Sequence, residues 1–415
     1  MSARPFVFVV YAEITAPVVR AQSMPLMEAL RASGHTVDAA VFTSPRRLLS
    51  PSVWTAHHTA LRSVEAAIGR TPYSATHAPR DRGLTRLGDG LASALVQRGD
   101  ADGVLVCRQP RATLIAVHAR GTLKARGHDP RVVLDLRGLR DVEYLLTLGK
   151  DEGDLSADEA RRLATYRSQE AEAVAAADGV IVVSSAMGQA LGARYGIDPS
   201  RVAVLANHAR EVPFAEDLRG TSRGELGLSG GQLLVAYCGT LAAWQMAEES
   251  ALLVKALQAF RTDARLLYLT PDAVGARAIL ERTGLKNALV RSATQEDVAR
   301  TLAAADYGLL LRRASPVNRV ASPVKFGEYL ACGVRPILTP QIGDQSQIVM
   351  DEGLGLVVSP EEAERAAGQI ALDADNPEHL SRAGRDRRRT WASTHISPPR
   401  AAERLAAFLE TVADN

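Results

Sequence analysis

Cysteine is scarce in this chain. Cys107, Cys238 and Cys332 are its only three, and their spacing suits neither a disulfide framework nor a metal site. Each lies in or beside an apolar run, which reads as a buried, inert thiol in a reducing, cytoplasmic setting. A surplus of either charge is also lacking: 49 basic residues face 47 acidic ones, for a net charge of +2. That balance excludes a whole-surface nucleic-acid or membrane binder and leaves only a peripheral membrane contact open. No apolar run reaches membrane-span length without charges. The opening "PFVFVVYAE" is too short to span and has no basic n-region with a cleavage site, so it reads as a buried first strand. No Gly-x-Gly-x-x-Gly follows that strand, and neither a P-loop nor a Gly-x-Ser-x-Gly elbow occurs, so the usual dinucleotide, NTPase and hydrolase signatures are absent. The histidines show no zinc spacing. Two "DAD" stretches, Asp100–Asp102 and Asp373–Asp375, precede a strand and end a helix, where a metal pair would have no use, and they read as chance.

What the chain does have is an ordinary globular composition, 46% hydrophobic and 23% charged, over 415 residues, a length that favours two domains. Strand-like runs alternate with amphipathic stretches: Phe6–Tyr11, "HTVDAAVF", "GVLVC", "RVVLDLRG", "GVIVVSS" and "RVAVLANH" in the first half. "EVPFAEDLRGTSRGELGLSGG" (Glu211–Gly231) breaks the pattern as a linker, and "LLVAYCGTL" resumes it. Repeated strand–helix–strand units predict an α/β protein of two doubly wound, Rossmann-like domains facing a cleft. The predicted boundaries are 1–212, 213–395, and a C-terminal helix within 396–415 that returns to the first domain. The run Arg387–Arg389 reads as a solvated helix face.

Ligands of parallel sheets bind beyond the carboxyl ends of the strands, so residues just after strands are the candidates. In the first half these are Arg20, Arg108 and the Asp135–Arg137 pair. Arg20 and the Asp–Arg pair read equally well as a surface charge and a loop pin. In the second half, "LLLRRASPVNRVASPVKFGEYLACG" gathers Arg312, Arg313, Asn318 and Arg319 in a loop that feeds a helix. Ser322 suits its N-cap, Pro323 its first position and Gly333 its stop. Lys325 then lies at the positive end of the helix dipole, where a cation is unfavourable unless an anion sits between. Basic side chains and free N–H groups together suit a diphosphate. Glu328, one turn on, suits a pair of ribose hydroxyls; the plain alternative is an exposed Lys–Glu pair. Gly239, Thr240 and Arg291, each at or after a strand, complete the candidates of the second half.

With these residues in hand, the chain resembles retaining glycosyltransferases of the twin-Rossmann (GT-B) fold, family 4 in particular. "SPVKFGEYLACGVRPILT" is the most specific match, supported by "VAYCGTL", "EDVARTLAAADYGLLL" and the hinge-like "RVAVLANH" with Asn207. The resemblance implies a UDP- or GDP-type sugar donor as substrate, no metal or other cofactor, and an acceptor of unidentified class. It also implies front-face transfer with retention, in which the leaving phosphate helps to deprotonate the acceptor. On that pattern Lys325, Arg312 and Arg108 are the catalytic candidates; Glu328, Lys325, Ser322, Asn318, Arg319, Gly239, Thr240 and Arg291 bind the donor; and Arg20, Asp135 and Arg137 bind the acceptor. The chain departs from the pattern at Val320, where the family often has a glutamate, and at Thr240 and Gln245, where it has an arginine and a lysine. A nucleotide-sugar epimerase and a non-catalytic, donor-binding partner subunit are the alternatives.

Overall fold

The computed structural model describes residues 4–11, 17–43, 50–76, 82–209, 218–229, 231–294 and 297–414. The chain divides into two compact units, Met1–Ala206 with Pro398–Asn415, and Asn207–Ser397. The boundary expected at 212/213 lies outside the described residues, as does the start of the expected linker. The linker's remainder is not featureless, since Leu218–Glu225 is helical.

The first unit holds β1 (Phe6–Tyr11), β2 (Val37–Thr43), β3 (Tyr73–Thr76), β4 (Val104–Arg108), β5 (Arg131–Asp135), β6 (Gly179–Val182) and β7 (Val202–Val204). All pairs are parallel, in the order β3-β2-β1-β4-β5-β6-β7. Successive β1 residues point to opposite faces, and both faces are covered. Phe6, Phe8 and Val10 join one core, while Val7 and Val9 join the other. Burial on both sides explains why these strands read as unbroken apolar runs. The C-terminal helix Pro398–Asp414 belongs to the first of these cores: Ala401, Leu405, Leu409 and Val412 pack with Met27, Leu30 and Val10.

The second unit holds β8 (Leu234–Cys238), β9 (Arg265–Leu269), β10 (Ala288–Arg291), β11 (Tyr307–Leu310), β12 (Arg335–Leu338) and β13 (Leu356–Val357). This sheet is also parallel, in the order β10-β9-β8-β11-β12-β13. Leu234, Ala236 and Cys238 face one core, and Val235 and Tyr237 face the other.

Helices return to the amino end of this sheet, so their free carbonyls gather there. Arginines meet them. Arg219 donates to the Ala304 and Ala305 carbonyls at 2.9 and 3.0 Å, Arg388 Nε to Gly333 at 3.0 Å, and Arg335 to Gly353 at 3.1 Å. Two buried carboxylates balance them. Asp306 takes Arg219, Arg223 and Arg385, and Asp373 takes Arg335 through paired bonds of 2.7 and 2.8 Å. The Arg387–Arg389 run is therefore a solvated face only in part, since Arg387 is exposed and Arg388 is not. Arg388 is only 2% exposed and meets no carboxylate among the described residues. Burial, then repulsion from Arg335 and Arg385, pushes its pKa down. The polar look of "RDRRR" misled because two of its guanidiniums, Arg385 and Arg388, meet the Ala305 and Gly333 carbonyls inside the fold.

Candidate functional site

Strand order reverses between β8 and β11 in the second sheet, since β8 pairs with β9 on one side and β11 on the other. The connections leaving β8 and β11 diverge there, which opens a crevice at their carboxyl ends. Tyr329 braces this point. Its hydroxyl accepts from Cys238 N at 3.2 Å and donates to the Leu309 carbonyl at 3.0 Å, so one side chain joins both strands. Gly308 makes room, because a Cβ there would stand 2.6 Å from the Tyr329 ring.

The turn after β8 runs through Gly239, at φ 149°, and is closed by neutral groups. The Tyr237 hydroxyl donates to the Thr240 carbonyl at 2.6 Å, and Gln245 Nε2 donates to Thr240 Oγ1 at 3.2 Å. The loop after β11 is tied to it by Arg313 N, which donates to the Trp244 carbonyl at 3.3 Å. Thr339 Oγ1 holds the backbone of Arg312 in both directions, at 3.0 and 2.9 Å. The Arg312 guanidinium is half-buried, meets no carboxylate among the described residues, and has no partner for Nε. Burial pushes its pKa down, against the pull of Tyr237 and Tyr329, yet a guanidinium stays charged at any physiological pH.

That loop is not wholly irregular. Pro316–Arg319 forms a short helix capped by Ser315, whose Oγ accepts from Asn318 N at 3.2 Å. Asn318 is buried, and its amide donates to the Arg313 carbonyl at 2.8 Å, so it scaffolds the loop. Arg319 is exposed, and Val320 is buried where the resemblance implied a glutamate.

The helix that follows spans Val324–Ala331, one residue later than its punctuation suggests. Pro323, not Ser322, is its N-cap residue, and no side chain caps its first turn. The Ser322 hydroxyl is engaged elsewhere: it accepts from Asn207 N at 3.1 Å and Gln345 Nε2 at 3.3 Å. At the other end, Gly333 takes φ 74° and Val334 N reaches back to the Tyr329 carbonyl, the stop its sequence suggests. Phe326, Tyr329 and Leu330 face the core. Lys325 and Glu328 share the outer face, with Nζ and Oε2 at 2.6 Å and side chains 27% and 24% exposed. Burial opposes the Lys325 charge, but Cys238 and Glu328 outweigh it and push its pKa up to about 12. Burial pushes the adjacent Cys238 thiol up to about 11, so it stays protonated at neutral pH.

The structure thus brings Lys325, Glu328, Arg312, Gly239 and Thr240 to one strand reversal. It leaves Arg291 exposed at the end of β10, the edge strand of that sheet. In the first unit, Arg108 and Asp135 end the neighbouring strands β4 and β5. Arg108 donates to Gln22 Oε1 at 3.0 Å and lies 3.9 Å from the Asp135 carboxylate, which Arg137 meets at 2.6 Å. This buried carboxylate between two arginines pins the loop, whatever else it does. Arg20 lies in the helix Pro17–Ala32, but its side chain is outside the described residues. Both "DAD" stretches have their first carboxylate engaged, Asp100 by Arg70 and Asp373 by Arg335. Sequence reading missed Gln345 and the brace of Tyr329. The only signal for the brace was a glycine inside a strand, "DYGLLL", which marks close approach.

Residues 19–208 match the family described as "Glycosyl transferase 4-like domain". No curated protein matches the chain in sequence. Among solved structures, a glycosyltransferase from Rickettsia africae ESF-5 is similar at a TM-score of 0.69 and 12% identity, over 100% of both chains. Anabaena Alr3699/HepE, solved in complex with UDP, reaches 0.64 at 15% identity over 98% of this chain and 100% of its own. WaaG, a glycosyltransferase involved in lipopolysaccharide biosynthesis, reaches 0.60 at 16% identity over 99% and 98%. Residues of the first unit thus match a glycosyl transferase 4-like domain in sequence, and the chain as a whole shares the fold of these solved glycosyltransferases.

Proposed function

We propose that this enzyme transfers a sugar from a nucleoside diphosphate donor to an acceptor, with retention of configuration and without a metal ion. The observation that carries the reading is the uncapped start of the Val324–Ala331 helix, beside Lys325 and Glu328, at the strand reversal of the second sheet. The Val324 and Lys325 N–H groups and the helix dipole suit a diphosphate. Lys325 and Glu328 satisfy each other in the structure; a donor parts them, the diphosphate taking the ammonium and the ribose hydroxyls taking the carboxylate. Arg312 supplies a second cation and offsets the cations missing at Thr240 and Gln245. These fixed charges stabilise the phosphate as it leaves, and that phosphate in turn accepts the acceptor's proton. A protein of the same fold that holds UDP supports a uridine donor. Acceptor binding falls to the first unit, where Arg108, Asp135 and Arg137 are the polar groups on offer.

The test is turnover of UDP- and GDP-sugars with a panel of acceptors, with and without EDTA, for wild type, Glu328→Ala and Lys325→Ala. Both variants will lose most activity, EDTA will not matter, and the product will keep the donor's anomeric configuration. Full activity in both variants overturns the site assignment. Sugar interconversion without acceptor points to an epimerase, and donor binding without any turnover to a partner subunit.

A further inference from the structure

The start of the Val324–Ala331 helix is held from behind. Asn207 donates twice, from its backbone N to Ser322 Oγ at 3.1 Å and from Nδ2 to the Ser322 carbonyl at 2.6 Å. Gln345, 5% exposed at the first turn of the next helix, Gln345–Asp351, also donates twice: to Ser322 Oγ at 3.3 Å and to the Pro323 carbonyl at 3.2 Å. A serine just before a helix ordinarily turns its oxygen to the first free N–H groups. Here two donors from outside the helix engage that oxygen and both preceding carbonyls, and the first turn keeps no side-chain cap.

The segment that carries Asn207 is also pressed against the same helix. A Cβ on Gly327 would stand 2.8 Å from Ala209 Cβ and 3.1 Å from Ile396 Cδ1, and Ala209 N donates to the Ile396 carbonyl at 2.9 Å. Asn207 opens the second unit and Ser397 closes it. The stretches by which the chain enters and leaves this unit thus meet one helix, one just ahead of its first turn and both at its middle.

We infer that Asn207 and Gln345 are positioning residues for the donor diphosphate. Touching no reacting atom, they hold Ser322 and Pro323 by their oxygens, so that the Val324 and Lys325 N–H groups stay open, while Phe326 N donates to the Pro323 carbonyl at 3.2 Å, and Lys325 stays aligned with them. This rests on the donor-site reading above. It also goes further, because it gives the entry segment of the unit a part in donor affinity.

The experiment measures UDP and GDP dissociation by calorimetry, donor KM and kcat, and thermal midpoints. The proteins are wild type, Asn207→Ala, Gln345→Leu, the double variant, Glu328→Ala, and the exposed control Gln347→Leu. Each single strap variant will weaken the preferred nucleoside diphosphate about three- to tenfold, a hydrogen bond's worth. Donor KM will rise by the same factor, with kcat within about twofold of wild type, because the groups lost act on binding rather than on the reacting atoms. The double variant will fall short of the product of the singles, because both act through Ser322. Gln347→Leu will match wild type. If either strap variant fails to fold, the other carries the test. Thermal midpoints that drop while KM and dissociation constants hold overturn the inference and leave the donor site standing. Wild type that binds neither UDP nor GDP, or Glu328→Ala that binds as well as wild type, overturns the donor site itself.

Discussion

The two ends of the second sheet use the same kinds of side chain for opposite ends. At the amino end, helix carbonyls are met by Arg219, Arg335 and Arg388, and buried Asp306 and Asp373 balance the charge of Arg219 and Arg335. At the carboxyl end, the Val324–Ala331 helix starts without a side-chain cap, and the half-buried Arg312 meets no acid among the described residues. Satisfied groups hold a fold together. Groups left open in a crevice cost stability until something binds. The position of a charge along the strand direction, more than its type, tells which task it has.

That contrast can be broken in four places. Asp306→Ala strips three arginines of their carboxylate and Leu234 N of its acceptor, a bond of 2.8 Å. It will cost about 3–5 kcal/mol in urea denaturation while the folded fraction keeps wild-type donor affinity. Lys325→Ala will do the reverse, lowering kcat/KM about a hundredfold or more while shifting stability by under about 1 kcal/mol, the range of a partly exposed pair. Tyr329→Phe leaves Cys238 N without its side-chain acceptor at the strand reversal and will cost about 1–3 kcal/mol; a smaller loss would mean that the brace is dispensable. Arg387→Ala, which removes an exposed contact to the Glu352 carbonyl, will stay within about 0.5 kcal/mol of wild type and sharpen the difference from its buried neighbour Arg388.

Most strands were legible because burial on both faces writes them as apolar runs, from "FVFVVY" to "RPIL". β3 was not. It is a four-residue edge strand, "YSAT", with every second residue exposed, so it carries no run to find. The helices Pro51–Ile68 and Arg82–Arg98 on either side of it went unread with it. At the candidate site, local punctuation located the helix but misplaced its cap. Ser322 is a good capping residue, and only tertiary partners, 115 and 23 residues away in sequence, decide that it caps nothing. Likewise "RDRRR" looks solvated until the carbonyls it meets are known. Partners distant in sequence are what local reading cannot supply.

One consequence concerns synthesis. The core of the first unit includes Ala401, Leu405, Leu409 and Val412, from the helix at the far end of the chain. Domains generally fold in the order in which the ribosome delivers them, but this one lacks part of its core until the helix Pro398–Asp414 has been made. The second unit, whose residues 207–397 run without interruption, is complete sooner. Of the two units, the one begun earlier is therefore completed later, and in the interval Met27 and Leu30 wait without their cover.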